Sequence, residues 1–183
     1  MNELYLLRHF RTQNNINNII SGNQDISMTD IVSNTFNISY PVTKILCSPL
    51  SRCIITMERY IKDTGCECEC IICDNLEERD MGILSGIPKS KAADTYPMLF
   101  ECCGKNVCFN PFNTPPSGES FDEFKFRIEK IVKKLDFSSE KYMICSHNQT
   151  LKMIYHIVKG ITVSMDSWKN LNFDNGVIYN VKF

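Results

Sequence analysis

Glu3-Leu4-Tyr5-Leu6-Leu7-Arg8-His9 opens the chain with an apolar run that stops abruptly at a cation and an imidazole. The same grammar recurs twice. Thr43 to Cys47 runs into Ser48-Pro49-Leu50-Ser51-Arg52, and Lys141 to Cys145 runs into Ser146-His147. Short apolar segments bounded by polar or turn-forming residues read as buried strands, and Cys66 to Asp74 and Val177 to Phe183 carry the same signal. Helical periodicity lies between them. Ser51 to Lys62 is one such stretch. Gly118 to Phe137 is the clearest, with Phe121, Phe124, Ile128, Ile131, Val132 and Leu135 at three- and four-residue spacing. Gln149 to Lys159, closed by Gly160, is a third, with Leu151, Ile154, Tyr155 and Val158 as its apolar face. Strands separated by helices need crossover connections. The expected fold is therefore an α/β three-layer sandwich, a mostly parallel central sheet with helices on both faces.

The 183 residues suit one domain, and no linker or repeat divides them, so residues 1–183 are read as a single unit. Lys and Arg number 20 against 21 Asp and Glu, a net charge of -1. No basic field exists to hold nucleic acid or an anionic membrane, and any anion must be met locally. A hydrophobic content of 43% with 22% charged residues excludes a disordered chain. No apolar run reaches the ~18 to 20 residues of a membrane span, and Met1-Asn2-Glu3 lacks the basic start of a signal peptide. We expect a cytoplasmic chain with neither nucleic-acid nor membrane partners. Its oligomeric state is not written in the composition.

Such a chain keeps its 10 cysteines as reduced thiols. Cys66, Cys68, Cys70 and Cys73 raise the question of a metal, but Cys-Glu-Cys-Glu-Cys alternates with the period of a half-buried strand, thiols on one face. Packing is the preferred reading, for Cys102, Cys103 and Cys108 too, and no metal or other cofactor is expected. The stretch 87–117 fits the alternation less well. It holds one helical pattern, Lys89 to Cys103, then a proline-rich run from Phe109 to Pro116. We read it as a surface excursion over a site, a candidate lid.

In open parallel sheets ligands bind beyond the carboxyl ends of the strands. Arg8, His9, Arg52, Ser146 and His147 all follow predicted strands and are delivered to one edge of one sheet. Ser48 as helix cap and Pro49 in the first turn would bring free backbone N–H groups to the same mouth. That constellation suits a dianionic phosphate.

Leu7-Arg8-His9-x-x-Thr12, Ser48-Pro49-Leu50-x-Arg52, Leu76-x-Glu78-x-x-x-Gly82-x-x-x-Gly86, Gly118-Glu119-Ser120 and Ser146-His147 stand in order along nearly the whole chain, and Asn15, Gly22, Asp25 and Thr29 accompany them. In these signatures the sequence resembles the histidine phosphatase superfamily, in its phosphoglycerate mutase-like branch. The resemblance implies a role for each match. His9 becomes the nucleophile, because a neutral imidazole nitrogen attacks phosphorus without a base and the phosphohistidine formed is labile to water. Arg8, Arg52 and His147 hold the equatorial phosphoryl oxygens, with Asn15 adding a hydrogen bond. Glu78 protonates the leaving oxygen and later activates water. The adjacent Glu77 competes for that role, and spacing to Gly82 favours Glu78. Glu119 reads as a residue at a helix start, and His156, with no motif around it, as an ordinary helix residue.

Phe10 and Arg11 stand where the family most often has Gly and Glu. Either both side chains point away, or they narrow the pocket and raise its selectivity for anions. Arg79 and Lys89 fall where mutases contact a substrate carboxylate or second phosphate. The paired arginines of mutases are absent, Phe109-Asn110 standing instead, and because the last predicted strand runs to Phe183 we expect no tail closing over a phosphoenzyme. The expectation is a metal-independent phosphomonoesterase acting on a small phosphorylated metabolite. Its rivals are a phosphoglycerate mutase and a phospholigand-binding module without turnover.

Overall fold

The computed structural model describes residues 2–26, 35–103 and 106–183; Thr29 lies outside them. Five strands form the main sheet: β1 (Glu3–Arg8), β2 (Lys44–Cys47), β3 (Glu69–Ile72), β6 (Tyr142–Ser146) and β7 (Ile178–Lys182). Their order is β3-β2-β6-β1-β7. The first four run parallel and β7 closes the edge antiparallel to β1. Because side chains alternate along a strand, each strand feeds two layers. Leu4, Leu6, Leu46, Tyr142 and Ile144 pack on one face with Phe124 and Ile128 of α4 (Phe121–Val132) and Leu151 and Ile154 of α5 (Asn148–Lys159). Tyr5, Leu7, Ile45, Cys47, Met143 and Cys145 pack on the other with Cys53, Met57 and Tyr60 of α2 (Ser51–Thr64). This is the expected three-layer α/β sandwich.

The register puts the chemistry at one end. Leu7 pairs with Cys145 and Arg8 with Ser146, and the His9 amide donates to the Ser146 carbonyl at 3.0 Å. The Ser48 amide reaches the Cys145 carbonyl at 3.0 Å. Three strand ends thus stop side by side.

Two expectations are corrected by local physics. The helix read from Lys89 to Cys103 is α3 (Lys89–Thr95) only, because Pro97 forbids helical backbone at Tyr96, which sits at φ -128° and ψ 60°. A 3₁₀ turn follows, and then β4 (Phe100–Cys103) pairs antiparallel with β5 (Asn106–Phe109). The strand read from Cys66 to Asp74 is reduced to Glu69–Ile72 at the sheet edge, where Cys66 is buried, Cys68 half-buried and Cys70 exposed. The thiols of Cys66, Cys68 and Cys70 neighbour one another, Cys66 and Cys68 packing against the α2-side core and Cys70 reaching the exposed edge. Two short helices complete the elements, α1 (Gln13–Ile16) and α6 (Met165–Asn170). Among the described residues, no helix is long and apolar enough to cross a membrane.

Candidate active site

The strand ends open into a cavity of about 860 Å³ lined by Arg8, His9, Arg52, Glu78 and His147, with Asn15, Arg11 and Lys89 on its walls. His9 is buried, and its Nδ1–H donates to the Phe10 carbonyl at 2.6 Å, which leaves the Nε2 lone pair as the ring's free nucleophile. Burial, then the charges of Arg52 and Arg8, hold its pKa well below the ordinary imidazole value, so the ring is neutral at physiological pH. The neighbouring Phe10 amide is tied to Thr56 Oγ1 at 2.9 Å, and the Phe10 ring stacks on Phe36 in the core. Phe10 points away from the cavity. Arg11 is exposed at its rim.

The His147 ring lies 5.2 Å from that of His9. Arg52 Nε donates to His147 Nδ1 at 3.2 Å, so the proton sits on Nε2 and bonds Ser48 Oγ at 2.8 Å. Burial, followed by Arg52, His9 and Arg8, also drives this imidazole well below its usual pKa. Ser48 therefore orients an imidazole rather than capping α2; Asp25 does the capping, accepting from the Ser51 amide at 2.8 Å. The Arg52 guanidinium is fully buried, its Nη1 on the Gln24 carbonyl at 2.6 Å and Nη2 on the Gly22 carbonyl at 3.0 Å. Arg8 Nη1 is held by the Phe173 carbonyl at 2.7 Å, while its buried Nε has no partner among the described residues. Both guanidinium groups stay cationic despite burial.

Glu78 accepts from the Gln149 and Thr150 amides, each at 3.2 Å, at the start of α5. Those amides carry the positive end of the helix dipole, which fixes the carboxylate beside His147, the residue preceding the helix. The Glu77 carbonyl accepts from Thr150 Oγ1 at 2.8 Å and from Arg127 Nη1 at 3.1 Å, and the residue does not line the cavity. The loop carrying Glu78 is pinned at Gly82, where φ is +51° and a Cβ would come within 2.1 Å of the Pro116 carbonyl oxygen. Asn15 spends its Oδ1 on the Thr12 amide at 3.1 Å, leaving its amide N–H₂ for the cavity.

Arg79 does not join this group. It is fully buried and faces the opposite way, donating to the carbonyls of Pro111 at 2.7 Å and of Asn113 and Glu119 at 2.9 Å, with its guanidinium against Phe109 and Phe124. Burial lowers its pKa to about 10. It is a strut for the loop 111–119, because a buried fork of donors must find acceptors and this loop supplies them. Glu119 is likewise structural, paired with Arg127 at 2.7 Å. His156 bonds the Lys152 carbonyl and Ser167 Oγ inside the helical layer.

Sequence reasoning missed Ser48 as a positioning group and missed Lys152, Trp168 and Asn175, which all line the cavity. Asn175 Nδ2 holds the His9 carbonyl at 2.9 Å. For Lys152 a signal existed: a lone cation among the apolar positions of α5. Among the described residues, no three His, Cys, Asp or Glu side chains converge as a metal-binding group. The assembled geometry can grip a tetrahedral anion with two cations while presenting a neutral nitrogen to it.

Comparison with solved structures shows the same fold at low identity. The α-ribazole phosphatase from Shigella flexneri superposes with a TM-score of 0.73 at 19% identity, covering 98% of this chain and 90% of its own. The mycobacterial glucosyl-3-phosphoglycerate phosphatase gives a TM-score of 0.71 at 15% identity, covering 100% and 90%. No curated protein sequence is significantly similar to the chain. The family description "Histidine phosphatase superfamily (branch 1)" matches residues 4–183, and the chain belongs to that superfamily.

Proposed function

We propose that the chain is a metal-independent phosphomonoesterase that hydrolyses a small phosphorylated metabolite through a phosphohistidine on His9. The observation that carries this reading is the neutral His9 ring, its Nδ1–H committed to the Phe10 carbonyl and its Nε2 free in a cavity that it shares with Arg8, Arg52 and His147. Nε2 attacks phosphorus as the bond to the leaving oxygen breaks, and protonated Glu78 delivers its proton to that oxygen. Arg8 and Arg52 offset the charge that gathers on the phosphoryl oxygens. Glu78, now a carboxylate, takes a proton from water; the water oxygen bonds to phosphorus, the N–P bond breaks, and inorganic phosphate leaves with Nε2 restored. Asn15, Arg11 and Lys89 are placed to contact the substrate.

Hydrolysis is preferred over phosphoryl transfer between substrate positions because Arg79, which a mutase would turn toward its substrate, is committed to loop carbonyls. Both compared structures are named as phosphatases, which also supports hydrolysis. The test is phosphate release across sugar phosphates, nucleotides, phosphoglycerates and phosphopeptides, with His9→Ala as control. Release abolished in that variant supports the proposal; a wild type no better than His9→Ala contradicts it.

A further inference from the structure

Arg52, Thr56 and Tyr60 recur at every fourth position of α2 and are buried, so they form one stripe of that helix. The Arg52 guanidinium enters the cavity, Thr56 Oγ1 accepts from the Phe10 amide at 2.9 Å, and Tyr60 packs edge-on against Phe36, the ring on which Phe10 stacks. The Thr56 hydroxyl also donates to the Arg52 carbonyl at 2.7 Å, the ordinary back-bond of a helical threonine. That bond spends its one proton and leaves the oxygen as an acceptor for Phe10. The His9–Phe10 peptide is thereby gripped at both edges, its N–H by Thr56 and its C=O by Asn175 Nδ2 at 2.9 Å. With its amide and its ring both anchored, Phe10 holds its own carbonyl where His9 Nδ1–H meets it at 2.6 Å. A glycine there would have no ring to anchor. The contacts matter because a His9 ring that loses this acceptor can turn or move its proton to Nε2, and a protonated Nε2 has no lone pair to offer phosphorus.

We infer that Thr56 is a positioning residue: through the Phe10 amide it fixes the backbone that holds the His9 Nδ1 proton, and so keeps Nε2 aimed at the phosphoryl group that Arg52, one turn earlier on the same helix, grips. The inference rests on His9 being the nucleophile. It also gives Phe10 a task, since its ring carries the restraint from Phe36 and α2 to the imidazole. One helix then sets both the seat of the anion and the angle of attack.

Thr56→Val keeps the shape and removes the hydroxyl, whereas Thr56→Ser keeps the hydroxyl. In steady-state hydrolysis of an aryl phosphate, kcat should fall about 10- to 100-fold in Thr56→Val, the cost of a misaligned attacking group. KM should stay within about twofold, because Arg8 and Arg52 keep the carbonyls that anchor them. Thr56→Ser should recover kcat to within about threefold of the unsubstituted chain. Nitrogen NMR of isotope-labelled histidines reads the restraint without turnover, with His9→Ala assigning the His9 signals. The unsubstituted chain and Thr56→Ser should show one His9 tautomer with a slowly exchanging Nδ1 proton, and Thr56→Val a mixture of tautomers. Should Thr56→Val not fold, Phe36→Leu decides by the same two readouts, since it loosens Phe10 from its far side and leaves Thr56 in place: a lower kcat at constant KM with mixed tautomers supports the inference. A single His9 tautomer or an unchanged kcat in the variant tested, or a Thr56→Ser loss as large as that of Thr56→Val, overturns it. Failure of the phosphatase reading shows separately, as no phosphate release from any phosphomonoester by the unsubstituted chain, and the NMR readout holds whatever that result.

Discussion

Arg52 Nε donates to His147 Nδ1 at 3.2 Å, and this one contact decides which nitrogen of His147 carries its proton. With Nδ1 as acceptor, Nε2–H must donate, and it does so to Ser48 Oγ. Arg52 thus acts twice, as a cation in the cavity and as the group that sets its neighbour's tautomer. Ser48→Ala removes the oxygen acceptor and leaves the buried N–H with only the weakly accepting Cys53 Sγ at 3.4 Å. The expected outcome is a loss of about 1–3 kcal/mol in unfolding free energy and a fall in kcat of about tenfold or more, read by denaturant melts and steady-state kinetics. Unchanged kcat would show that the orientation of His147 does not matter to turnover.

Glu78 is anchored on the first amides of α5 and faces the cavity, so it is placed to serve a leaving oxygen. Glu78→Gln keeps the shape and removes the proton. Turnover of an alkyl phosphate should drop about 100-fold or more, and that of an activated aryl phosphate much less, since its leaving group departs without help. Equal losses on both substrates would assign protonation to another group.

Both histidines are held well below the imidazole value of 6.5 in the folded chain. An unfolded chain takes up protons near 6.5 while the folded chain does not. Stability is therefore full above that pH and declines as pH falls from there through the folded values, by about 1.4 kcal/mol per pH unit for each histidine that resists protonation. Thermal melts between pH 7.5 and 5 check this. A His9→Asn, His147→Asn double variant should flatten the decline, and an equally steep decline there would place its origin elsewhere.

Arg79 faces the loop 111–119, and its loss should be felt in stability. Arg79→Met leaves the Pro111, Asn113 and Glu119 carbonyls short of a donor inside the protein, costing about 3 kcal/mol. KM for a good substrate should stay within about twofold. A large rise in KM with an unchanged melting temperature would return Arg79 to the substrate site.

Turnover should also survive excess EDTA, because Arg8 and Arg52 supply the charge a metal would otherwise provide. Loss of activity that zinc restores would contradict this.

How far the sequence could be read follows from the range of the forces involved. Strand ends at Leu7, Cys47 and Cys145 were legible because burial of a parallel sheet imposes apolar runs, and the polar residues after them were legible as a site because sheet topology brings strand ends together. Arg79 was misplaced because its neighbours in sequence say nothing about Pro111 and Asn113, the acceptors that capture it. The hairpin Phe100–Cys103 with Asn106–Phe109 was hidden because Lys89 to Cys103 keeps a helical pattern through Pro97, whose backbone constraint outweighs periodicity. Ser48 was read as a cap, since capping is local, whereas its bond to His147 spans 99 residues of chain. Phe10 could be resolved only by Phe36, its stacking partner from a distant loop.

The central claim is that phosphorus becomes bonded to His9. Brief mixing of the chain with a phosphomonoester labelled in its phosphorus, followed by denaturation at alkaline pH and peptide mapping, reads this directly. The account predicts an acid-labile, base-stable label on the peptide containing His9, absent in His9→Ala and accumulating in Glu78→Gln when an aryl phosphate is used. A chain that releases phosphate with no label on His9, or with the label elsewhere, contradicts it.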